Sequence, residues 1–146
     1  MSTFESATTN ADKAAWMLEG LAVPDVRFAV LLSEDGLRIA HIGEITLDNA
    51  ERFAAAASGL RSLGKALGEF SGNVTSVRQN MTEYDDGMIF ITAVGDGALI
   101  GVSTIRDADV NLVAHRMNEI AVRVGHELGS LPRRQWAQSM PTLGQS

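Results

Sequence analysis

Residues able to do chemistry are few in this chain and poorly spaced for it. Cysteine is absent, which removes thiol nucleophiles, zinc ribbons, disulfide scaffolds and redox pairs together. The three histidines, His41, His115 and His126, are scattered over one strand-like and one helix-like stretch. His115 and Glu119 stand four apart and can bridge a helix surface, but a metal site needs a third ligand that the spacing does not place. His126 falls near a helix C-terminus, where a cation is favoured electrostatically. The acidic pairs Asp85-Asp86 and Asp107-x-Asp109 take turn and cap positions with no nucleophile beside them. A P-loop is missing, since no glycine precedes Gly-Lys-Ser or Gly-Lys-Thr at the required spacing. Gly95, Gly97 and Gly101 spell GxGxxxG ahead of a strand, which is a turn rather than a dinucleotide fingerprint. The sequons at Asn73 and Asn80 lie in or beside a strand pattern without a secretion signal and read as accidental. No cofactor is expected, and the chain is not expected to be an enzyme.

The elements that would position any site follow from the hydropathy pattern. The chain has 146 residues and a formal net charge of −6, which fits one domain and opposes nucleic acid as the main partner. The pair Arg133-Arg134 is too short for a nucleic-acid patch. No apolar run approaches the ~20 residues of a membrane helix, and the first ten residues lack a signal-peptide pattern. No membrane insertion and a cytoplasmic location are therefore expected. Residues 1–9 and 130–146 are expected to be flexible, with the domain over 10–129.

Asn10 is a candidate cap for a short helix from Ala11 to Glu19. Val26–Ser33 and Leu37–Ile42 read as a hairpin around Glu34-Asp35-Gly36. Thr46 or Asp48 caps a long helix running to about Phe70. Strands are predicted over 74–82, 88–94 and 98–104, with turns at Tyr84–Gly87 and Gly95–Gly97. A final helix starts at Asp107 or Asp109 and ends at Gly129, with Val110, Val113, Met117, Ile120, Val124 and Leu128 on one face.

The first, fourth and fifth strands are apolar on both faces and belong inside a doubly covered sheet. The second and third are more polar and belong at its edges. Three hairpin connections then require the antiparallel order 2-1-5-4-3. The long helix covers one face and the other two helices cover the second, an α/β chain of the α+β type.

Two features of that monomer are unfinished. Polar residues of the long helix, Glu51, Ser58, Ser62, Lys65 and Glu69, form one narrow stripe, whereas one core face needs an apolar stripe of only ~100°. The third strand also leaves backbone groups unpaired along one side. A two-fold homodimer with paired edge strands and adjacent long helices removes both. The expected interface comprises Phe53, Ala56, Ala57, Gly59, Leu60, Leu63 and Ala66 of the helix with Val77 and Gln79 of the strand.

The hairpin segment VLLSEDGLRIA, the helix AERFAAAASGLRSLGKALGEF, and GDGALIGV followed by DADVNLVAHRM resemble the roadblock family of dynein light chain-like proteins. The closer resemblance is to its bacterial branch, found with sensor-kinase-like proteins and small Ras-like GTPases. It covers about residues 10–128. It implies a profilin-like five-stranded sheet with three helices, and a dimer with one continuous sheet. A small Ras-like GTPase is the implied partner, with activation of GTP hydrolysis in some members. A nucleotide-independent adaptor for a sensor histidine kinase is the alternative. Arg52, Arg61 and Lys65, on the helix lining the dimer's outer groove, are the expected partner-binding residues.

Overall fold

The computed structural model describes residues 13–72 and 76–129. Residues 13–18 form α1 and pass into a 3-10 turn over Glu19–Leu21. The expected cap at Asn10, the sequon at Asn73, the Arg133-Arg134 pair and both termini lie outside the described residues. The hairpin β1, Val26–Ser33, and β2, Arg38–Gly43, is followed by α2, Leu47–Leu67. A 3-10 turn, Gly68–Phe70, closes that helix. Then come β3, Gln79–Tyr84, β4, Gly87–Val94, β5, Ala98–Ile105, and α3, Val110–Gly129.

The sheet has the order β2-β1-β5-β4-β3, and every neighbouring pair is antiparallel. The three central strands are those with apolar residues on both faces. One cluster, including Leu31, Phe90, Val102, Met117 and Val124, lies under α1 and α3. The other, including Val30, Leu32, Ile91 and Leu99, lies under Ala50, Ala54 and Ala57 of α2. Alternation along each strand supplies both layers from the same eight-residue segments. The β1–β2 turn works because Gly36 adopts φ +89°, a region closed to most side-chain-bearing residues.

Local chemistry fixes the helix starts. The Thr46 hydroxyl accepts from the Asn49 N–H at 3.1 Å, and the Asp109 carboxylate accepts from the Leu112 N–H at 3.1 Å, as N-caps do. Asp25 in turn accepts from the Asp109 N–H at 2.9 Å, tying the entry of β1 to the start of α3. Helix α1 lies on α3: Lys13 pairs with Glu127 at 2.9 Å, and Gly20 sits against the Ile120 side chain.

Two boundary differences from the sequence expectation fall at β3. Tyr84 is the last residue of β3 rather than part of the turn. The third strand begins at Gln79 instead of 74, and residues 76–78 are irregular. The reason is a contact distant in sequence: Arg61 of α2 donates from Nη1 to the Val77 carbonyl at 2.7 Å. Val77 therefore lies before the strand, not within it.

Candidate protein-interaction surface

Helix α2 has two different faces. Ala50, Ala54, Ala57 and Arg61, at i, i+4, i+7 and i+11, are its buried positions. The alanines are small because the helix lies directly on β1, β4 and β5. Phe53 extends the same contact: its ring meets Phe28 edge-on at 5.1 Å and lies over Gly101, where a Cβ would fall 2.5 Å from Cε1. Ala57 is thus buried in the chain's own core cluster, and Phe53 and Leu60 are half-buried against it.

The opposite side carries Ala56, Gly59, Leu63 and Ala66, all exposed. Leu67 and Phe70, which the sequence analysis did not include in the interface, continue the row. Leu63 and Leu67 are each 66% exposed and Phe70 is 79% exposed, at the spacing of one helix face. Their apolar type at i, i+4 and i+7 was the available signal. Near α2 at Gly64 lies β3, bonded to β4 on one side and, among the described residues, to no other strand. Gln79 opens that strand and is exposed.

The three cations of α2 divide. Arg52 and Lys65 are exposed. Arg61 is not: it is only 8% exposed, bonded to Val77 and 3.9 Å from the Glu34 carboxylate. Its register with the three alanines turns it inward, so it is withdrawn from the surface to which the sequence analysis assigned it.

Other polar clusters have local explanations. A bulge between Leu31 and Leu32 buries both Ile39 and Ala40 and leaves Arg38 and His41 on the α2 side of the sheet. Arg38 Nη1 lies 3.3 Å from His41 Nδ1. Burial draws the His41 imidazole below its ordinary pKa, and the Arg38 charge adds to this. Burial also lowers Arg38, opposed by Glu51. His115 and Glu119 pair across one turn of α3 at 3.3 Å, as their spacing suggested. Among the described residues no group of three or more His, Asp or Glu side chains could hold a metal ion, and no helix is long and apolar enough to cross a membrane.

The family description Roadblock/LC7 domain matches residues 15–104 of the sequence. A Roadblock/LC7 domain structure from Streptomyces avermitilis is 36% identical with TM-score 0.74, covering 79% of this chain and 97% of its own. The gliding protein MglB from Thermus thermophilus is 15% identical with TM-score 0.72, over 86% of this chain and 93% of its own. Profilin IA from Acanthamoeba castellanii, 9% identical, aligns over 82% and 97% of the two chains with TM-score 0.54. The last two similarities are of fold. No curated protein sequence matches the chain.

Proposed function

This chain belongs to the Roadblock/LC7 domain family, and we propose that it acts as a non-catalytic homodimeric regulator or scaffold for a small Ras-like GTPase. The observation that carries the reading is the exposed row Leu63, Leu67 and Phe70 beside an unpaired edge strand. Both are surfaces that a second copy completes. A second copy that pairs its β3 with this one and packs α2 on α2 gives a symmetric platform. Arg52 shares the face of Ala56, Gly59 and Leu63 and so lies at that seam, whereas Lys65 is exposed off that row and is the cation available to acidic switch segments of a GTPase. The chain brings no nucleotide-binding loop of its own, so any effect on GTP turnover works through the partner. Rearrangement of the partner's switch residues is one established means.

The test is capture of a small Ras-like GTPase loaded with a GTP analogue or with GDP. Preferential capture of one state is expected. Equal capture of both refutes nucleotide-dependent regulation and favours the sensor-kinase adaptor reading.

A further inference from the structure

A cleft of about 930 Å³ opens where β3 begins, walled in part by Arg61, Val77, Arg78, Ala93 and Gly95. It exists because the chain leaves β4 early. The β3–β4 ladder starts at Gln79 opposite Thr92. Continued backwards, the same register sets Arg78 opposite Ala93 and Val77 opposite Val94. Residues 76–78 instead carry no strand pairing, and the Val77 carbonyl is taken by Arg61.

A second observation locates the turn-over of the chain. A Cβ built on Gly64 would fall 2.9 Å from Asn80 Nδ2 and 3.3 Å from Val77 Cγ2. Residues three apart in a regular strand point to opposite faces. Val77 and Asn80 nevertheless both lie against the same glycine of α2, so the backbone rotates between them. The lack of a side chain at Gly64 is what admits them.

We propose that Ser76–Arg78 is a strap with two positions, latched to α2 by Arg61 as described here or released to extend β3 along β4 across the cleft. The latch is incompletely satisfied. Arg61 Nε is buried without a hydrogen-bond partner, and Glu34 stands 3.9 Å away. The released state trades the single Arg61–Val77 bond for ladder bonds to a strand whose outer edge is open. Arg61 is thus a positioning residue that sets the length of the β3 edge. The consequence for association rests on the homodimer reading above, because that edge is one of its two surfaces.

Hydrogen exchange on the full chain tests the strap. Arg61→Met keeps most of the aliphatic stem and removes the guanidinium. We expect at least tenfold slower exchange in the peptides spanning 76–78 and 93–95, with β1 and β5 unchanged. Gly64→Ala, which leaves Arg61 intact but pushes Val77 and Asn80 off α2, is expected to produce the same gain. Unchanged or faster exchange at 93–95 in Gly64→Ala overturns the proposal even where Arg61→Met fails to fold. Repeating the measurement in a Leu63→Ala background separates the strap from the dimer. The gain persists there if the strap is a property of one chain, and its disappearance overturns that claim.

Discussion

Truncating Leu63 to alanine tests the association surface directly. The side chain is 66% exposed, so the isolated chain gains little from it. Burying a leucine fully contributes about 1.5–3 kcal/mol. Two-thirds of that gives ~1–2 kcal/mol per copy, using the burial coefficient of apolar side chains. A two-fold interface contains the residue twice, so the loss is ~2–4 kcal/mol, or roughly 30- to 700-fold in the dimer Kd at 1.4 kcal/mol per tenfold. Sedimentation velocity over a concentration series reads this as a shift of the monomer–dimer midpoint. Alanine is a better helix former than leucine, so the helical circular dichroism of the variant is preserved. The matched control is Val122→Ala. Val122 is 65% exposed on α3, across the sheet from α2, and removing it leaves the midpoint in place. An unmoved midpoint in Leu63→Ala, or equal shifts in both variants, refutes the α2 interface.

Two further outcomes follow from single contacts. Gly101→Ala places a methyl 2.5 Å from Phe53 Cε1 and 2.8 Å from Cζ. The ring must leave its edge contact with Phe28, at a cost of about 1–3 kcal/mol, and a urea midpoint equal to the parent's contradicts that packing. His41, held below its ordinary pKa by burial and by Arg38, takes up a proton more readily in the unfolded chain than in the folded one. Its contribution is therefore complete above the unfolded value of about 6.5 and declines as pH falls through that value toward the lower folded one. The parent's urea midpoint will fall relative to that of a His41→Gln variant as pH drops from about 7.5; a constant difference refutes the assignment.

The fold was legible in hydropathy because burial on two faces leaves a mark on each strand. Val26–Ser33, Met88–Val94 and Ala98–Thr104 are apolar at odd and even positions alike, and only a central strand tolerates that. With three hairpins, the order β2-β1-β5-β4-β3 was the arrangement left. The start of β3 was not legible. Local alternation over 74–82 favours a strand, and what overrides it is a hydrogen bond between residues 16 apart, invisible to any window along the sequence.

The interaction surface was half legible, for a reason that lies in what small residues do. An alanine on a helix signals close approach without saying what approaches. Ala54 and Ala57 are small because the chain's own sheet lies against them, and both are buried. Ala56 and Gly59, between and beyond them, face away and are exposed. Composition alone merges these two groups and so drew the buried Ala57 into the expected interface with the exposed residues. Register separates them: once Ala50, Ala54 and Ala57 define the inward direction, Arg61 falls inward and Leu63, Leu67 and Phe70 fall outward. Three large apolar side chains on one side of a helix are a stronger argument for a second copy than any number of alanines. An exposed alanine forfeits little in water, whereas each exposed leucine or phenylalanine forgoes on the order of 1 kcal/mol or more until something covers it.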